Sequence, residues 1–119
     1  MDISAKLQIK PGQRIATLAG SGDVPSVMPQ GGETTDQPQE ADVIVVFVRN
    51  KADLDTLAGP AIEAARLDKL VWIAYPKAGK LGTDVNRDVL RNALEPQGVQ
   101  PVRQIAVDEV WSALRFRPA

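Results

Sequence analysis

Val43-Ile44-Val45-Val46-Phe47-Val48 and Leu70-Val71-Trp72-Ile73-Ala74-Tyr75 decide how this chain folds. Neither run alternates apolar with polar residues, as a strand with one wet face does. Both are apolar throughout, the pattern of strands covered on two faces. Between them Leu54, Leu57, Ala58, Ala61, Ile62 and Ala65 recur at helical spacing opposite Asp53, Asp55 and Glu63. Lys51 to Leu67 therefore reads as an amphipathic helix, with Asn50 placed to cap it. Gly59-Pro60 is expected to kink or split that helix, because proline lacks the amide hydrogen and its ring crowds the preceding turn.

Toward the N-terminus, Arg14-Ile15-Ala16-Thr17-Leu18-Ala19 reads as an earlier strand, separated by Pro11-Gly12 from a short lead-in helix over Ala5 to Ile9. Gly20 to Glu40 carries Pro25, Pro29, Pro38, Gly22, Gly31 and Gly32, so it reads as irregular, with at most a short strand at Glu33-Thr34-Thr35. Toward the C-terminus, Pro76 to Gly82 reads as a loop. Thr83 or Asp84 then caps a second helix bearing Val85, Val89, Leu90, Ala93 and Leu94, which Pro96 and Gly98 end. Val102 to Val107 is the next strand and Asp108-Glu109 a turn. In the final strand Leu114 and Phe116 point inward and Arg115 and Arg117 outward.

Strands joined by helices within one sheet require right-handed parallel crossovers. Residues 1–119 are thus expected to form a single α/β domain: a three-layer, mainly parallel twisted sheet with a C-terminal antiparallel hairpin, and an irregular Pro/Gly-rich segment at 20–40. That order resembles the C-terminal half of Rossmann-like methyltransferases and implies a truncated Rossmann/methyltransferase-like fold. Tyr75-Pro76-Lys77, Thr83-Asp84 with Arg87-Asp88, and the tail from Trp111 through Ser112-Ala113-Leu114-Arg115-Phe116-Arg117 to Pro118 together resemble a family of small bacterial proteins of uncharacterised function. The resemblance runs from about Val43 to Pro118 and, loosely, over Ile9-Lys10-Pro11-Gly12. It implies a bacterial, cytoplasmic setting and brings no reaction with it.

Composition removes several chemistries. The chain has no Cys and no His, so it lacks the commonest zinc ligands, a thiol nucleophile, disulfides and a Ser-His pair. No metal site and no cofactor is expected. Fourteen basic residues against fifteen acidic ones give a net charge of −1, so nucleic-acid binding ranks last and needs a local patch. Met1 to Gly12 mixes Asp2, Lys6, Gln8 and Lys10 with isolated apolar residues and does not read as a leader. No run approaches the ~20 apolar residues of a membrane span.

In open α/β sheets ligands gather beyond the carboxyl ends of the parallel strands. Three places there or nearby carry chemistry. Gly20-Ser21-Gly22 has two glycines of a dinucleotide or S-adenosylmethionine loop but lacks the third and a following helix; with Arg49 and Tyr75 it marks a ligand edge. Lys77, Lys80, Thr83 and Arg87 surround a helix start suited to an anion, with Asp84 and Asp88 available to pair with Arg87 or Arg91. Trp111, Arg115 and Arg117 share one face of the last strand, offering an aromatic plane beside two cations as a surface contact. The leading expectation is a non-catalytic, methyltransferase-like binding domain for a small anionic ligand or a protein partner. A minimal S-adenosylmethionine-dependent transferase using Gly20, Gly22 and the loop after Arg49 stands as one alternative. A homo-oligomeric module built on the final strand as a sheet edge is the other.

Overall fold

A computed structural model describes residues 12–19, 33–35, 37–77, 85–107 and 109–119. Its strands are β1 (Arg14–Ala19), β2 (Glu33–Thr34), β3 (Val43–Phe47), β4 (Leu70–Pro76), β5 (Val99–Ala106) and β6 (Trp111–Pro118). Two helices join them, α1 (Lys51–Arg66) and α2 (Arg87–Leu94). The sheet order is β2-β1-β3-β4-β6-β5.

The two apolar runs lie side by side at the centre. β3 pairs in parallel with β1 and β4, and Val43 to Val46 are each no more than 1 % exposed. Cross-strand partners alternate between the faces. Ile44 beside Val71 and Val46 beside Ile73 meet Leu54, Ala58, Ala61 and Ile62 of α1, and Leu90 and Leu94 of α2, in one apolar cluster. Val45 beside Trp72 and Phe47 beside Ala74 form a second cluster with Trp111 and Ala113 on the opposite face.

Both described helices therefore pack on the same face, and the expected three-layer, mainly parallel, truncated Rossmann/methyltransferase-like arrangement is not the one formed. The sheet is mixed and strands dominate. β6 enters between β4 and β5, antiparallel to both, and these two ladders are together slightly longer than the three parallel ones. A helical apolar stripe establishes that a helix has a core-facing side, but not which face of the sheet receives it. β6 is also not the sheet edge expected of an assembly strand; β5 is. Placed there, β5 begins at Val99 rather than Val102 and accommodates Pro101, since an edge strand tolerates a missing donor.

The helix ends follow from side chains that satisfy free backbone groups. Asn50 accepts from the Asp53 N–H at 2.8 Å, while the Asp53 carboxylate accepts from the Arg49 N–H at 3.1 Å. α1 then runs unsplit through Gly59 and Pro60, both exposed, where the pyrrolidine ring displaces no core contact. Beyond its last turn, Asp68 N–H donates to Ala65 C=O and Lys69 N–H to Ala64 C=O, both at 3.0 Å, a Schellman closure. Asp68 takes the left-handed conformation (φ 61°) usually given to glycine, and its carboxylate accepts two bonds from the Arg117 fork at 3.0 and 3.2 Å. α2 is capped by Asn86 accepting from Val89 N–H at 2.9 Å, so it starts later than Thr83 or Asp84 would have begun it. The expected lead-in helix at Ala5 to Ile9 lies outside the described residues, as does most of Gly20 to Glu40. From that segment Glu33-Thr34 forms β2 and Pro38–Glu40 a 3-10 turn.

Two stability measurements check this account. Phe116, fully buried against both helices' cluster, loses about 3–5 kcal/mol of unfolding free energy on Phe116→Ala, whereas Leu67→Ala, at a side chain 71 % exposed, stays within about 0.5 kcal/mol in denaturant titrations. The Arg117 hydrogen bonds hold the Asp68 carboxyl below the usual carboxylate range. A carboxyl lowered by folding contributes stability above its unfolded pKa and loses it as pH falls. Asp68→Asn therefore removes part of the acid-side decline in melting temperature while leaving the neutral-to-alkaline limb's shape unchanged.

Candidate functional site

At the carboxyl ends of the parallel strands, the backbone donors of Arg49 and Lys77 have structural partners. Arg49 is half-buried, and its backbone N–H belongs to the α1 cap just described. Lys77 is half-buried, with its N–H donating to Val110 C=O at 2.7 Å. Gly20, Gly22, Lys80 and Thr83, named from the sequence, lie outside the described residues. Trp111 is not a surface contact: it is 2 % exposed and meets Phe47 edge-on, with ring centroids 5.9 Å apart. Alternation along β6 does place Arg115 and Arg117 on its side of the sheet, but Arg117 forks onto Asp68 and Arg115 stands beside Trp72 in the ladder.

The arrangement with chemical capacity lies farther along the chain, between α2 and β5. Leu90 and Leu94 anchor α2 to the core. Helical spacing then carries Arg87 and Arg91, one turn apart, along the flank of the helix beside β5. Opposite them β5 contributes Gln100, Arg103 and Gln104, and Glu95 closes the far end. Together these residues line a cleft of about 330 Å³. A register shift between Pro101 and Arg103 marks a β-bulge in this wall, a distortion that re-aims neighbouring side chains at a strand edge.

Within the cleft, the groups are held in order. Gln104 Nε2 donates to the Tyr75 hydroxyl at 3.1 Å, which fixes the amide so that its Oε1 accepts from Arg87 Nη1 at 3.4 Å. Tyr75 itself is buried. Burial pushes its phenol pKa up, and the nearby Arg87 charge pulls partly against that by favouring the phenolate. Arg91 Nε meets Glu95 at 3.4 Å rather than pairing with Asp88. Arg103 is exposed and pairs with no carboxylate among the described residues. Arg103 stands opposite Arg115 in the β5–β6 ladder, on the sheet face away from α2, so it borders the cleft, while Arg87 and Arg91 line it from the helix with Glu95 as its one carboxylate.

Of the expected anion-site residues, Arg87 is in this cleft and Lys77 is not part of its lining. Sequence reading missed Arg103, Gln100 and Gln104. The spacing of Arg87 and Arg91 beside the Leu90 and Leu94 stripe was a usable signal, but nothing local ties residues of β5 to it. Among the described residues no group of His, Cys, Asp and Glu side chains gathers to hold a metal ion, and no helix is long and apolar enough to cross a membrane.

Tyr75 is the chain's single tyrosine, so its titration is assignable by tyrosinate absorbance. Arg87→Gln leaves burial unopposed, and the phenol pKa moves further up than in the unaltered protein. A phenol pKa raised by folding means stability is lost as pH rises from the unfolded toward the folded value, so Arg87→Gln, with the larger upshift, loses more and its alkaline unfolding limb shifts to lower pH. An unchanged or lower tyrosinate midpoint contradicts the placement of Arg87 over Tyr75.

In comparisons with known proteins, no family model and no curated protein matches this chain, so the resemblance to small bacterial proteins rests on the quoted residues alone and the functional reading rests on the geometry of the cleft.

Proposed function

We propose that this chain is a binding domain for a small anionic ligand, held between α2 and β5 by Arg87 and Arg91. The observation that carries the reading is Arg87, held in the cleft by the neutral Gln104 with no carboxylate partner among the described residues, beside Arg91 one turn on. Guanidinium forks match carboxylate and phosphate oxygens in pairs, and such charge-assisted bonds are roughly twice as strong as neutral ones. The Tyr75–Gln104–Arg87 chain of hydrogen bonds supports it further, because a pre-ordered cation loses less freedom on binding than a mobile one. The volume of about 330 Å³ is at the lower end of the ~300–1,000 Å³ common for small-molecule sites, which favours a compact ligand. The lining offers cations and amides, the groups of a holding site.

Titration of inorganic phosphate and acetate, followed by amide and arginine Nε shifts in NMR spectra, tests the proposal. Shifts are expected at Arg87, Arg91 and Gln104. Arg87→Ala is expected to weaken binding by about 1–2 kcal/mol, with unfolding free energy altered by no more than about 0.5 kcal/mol. Shifts confined to other parts of the sheet, or undiminished affinity in Arg87→Ala, overturn it.

A further inference from the structure

We infer that the α2–β5 cleft takes a small monocarboxylate, gripped by the Nε–Nη2 edge of Arg87; this rests on the cleft being the anion site proposed above. The open edge of one guanidinium is the first argument. Arg87 Nη1 donates to Gln104 Oε1 at 3.4 Å, and its Nε and Nη2 have no partner among the described residues. The N–H groups on that edge lie parallel and match the two oxygens of one planar carboxylate. The molecule makes the same pairing elsewhere, where Arg117 Nε and Nη2 hold the Asp68 carboxylate at 3.0 and 3.2 Å. Gln104 acts as a positioning residue: with its amide donating to the Tyr75 hydroxyl at 3.1 Å, it occupies Nη1 and leaves the other edge for the ligand.

Charge is the second argument. Arg91 meets Glu95 at 3.4 Å, so the α2 side of the cleft holds a surplus of one positive charge, that of Arg87. Arg103 stands opposite Arg115 on the other face of the sheet and adds no second cation on that side. One negative charge on the ligand neutralises the surplus. A dianion brings its second charge beside a cation that Glu95 has already matched. A carboxylate also concentrates its charge on two oxygens, where a sulfate ester spreads it over three, and so forms the stronger bonds to a guanidinium edge. The carrier is short because the cleft is only about 330 Å³. Pro101, paired with Phe116, and Leu114 stand on the face toward α2 and border it with apolar surface.

Propionate, ethyl sulfate, ethyl phosphate and propionamide are each titrated into the full chain at about pH 7.5, where the first two carry one charge, ethyl phosphate carries two and propionamide none. Affinity and location are read from backbone amide and arginine Nε shifts. Propionate is expected to bind about fivefold more tightly than either ester, with shifts at Arg87 and Gln104, and propionamide to leave the cleft unshifted. Arg87→Lys keeps the charge but loses the edge, and is expected to weaken propionate binding about fivefold. Gln104→Glu gives Arg87 an internal carboxylate and is expected to weaken it about tenfold. An unchanged melting temperature in either variant shows that folding is not the cause. Equal or tighter binding of either ester in the cleft of the unaltered protein overturns the monocarboxylate assignment and leaves the anion site standing. Failure of all three anions to shift cleft amides overturns the anion site itself. Propionamide binding as tightly as propionate, or undiminished propionate affinity in both variants, overturns the grip by Arg87.

Discussion

Burial of β3 on both faces constrains everything around it. A buried strand cannot leave its N–H and C=O groups unpaired, so Val43–Phe47 needs a neighbour on each side, and β1 and β4 fill those places. β4 is just as apolar and poses the same demand one strand further out. β6 meets it by pairing with six consecutive residues, Val71 to Pro76. Leu114 and Phe116 turn toward the helices, while Trp111 and Ala113 turn toward Phe47 and Trp72 on the other face. The aromatic residue that looked available for recognition is therefore required by the core.

Inserting β6 beside β4 sends β5 to the edge, and the cleft is a consequence. An exposed edge is a template for unwanted pairing, and β5 has three features that blunt it: Pro101, a bulge, and the exposed charge of Arg103. Val102, at the bulge, is 48 % exposed. These features count against assembly by strand addition at β5. Just past the bulge, Gln104 stands beside Leu114 on the face toward α2, so protection of the edge and placement of the amide that holds Arg87 come from one short stretch of sequence. Arg66 ties the arrangement together from below, its Nε donating to Gln97 C=O at 2.7 Å and so joining the end of α1 to the turn that leads into β5. Gly98, at φ 93°, makes that turn possible.

What could be read from the sequence was whatever depends on neighbours along the chain. The apolar runs of β3 and β4, the stripe of α1 and its Asn50 cap are local patterns, and each is present in the structure. The layer arrangement was not readable, because Leu54 and Leu90 announce apolar helix faces without saying that both meet Ile44 and Val71. The α2 start was misplaced because Thr83 and Asp84 are as good by composition as Asn86, and only the bond to Val89 N–H distinguishes them. The cleft was half-readable. Arg87 and Arg91 show their relation in the helical period, whereas Gln104 reaches the site through a β5–β6 register that includes a bulge.

The distribution of ion pairs explains why a nearly neutral chain can have a cationic site. Arg14 lies 3.8 Å from Glu40, Arg117 forks onto Asp68, and Arg91 meets Glu95. All three pairs are largely exposed, where water screens the attraction, so they contribute little to stability individually. Each cancels a charge where it stands, whereas Arg87 pairs with no carboxylate among the described residues. Arg87 is further set apart by its neighbour, for Gln104 is neutral and holds the guanidinium without neutralising it. An acidic residue at position 104 would have held Arg87 as firmly and removed its charge from the cleft. The amide therefore combines orientation with retained charge, and that combination distinguishes an arginine kept for a ligand from one that belongs to an internal ion pair.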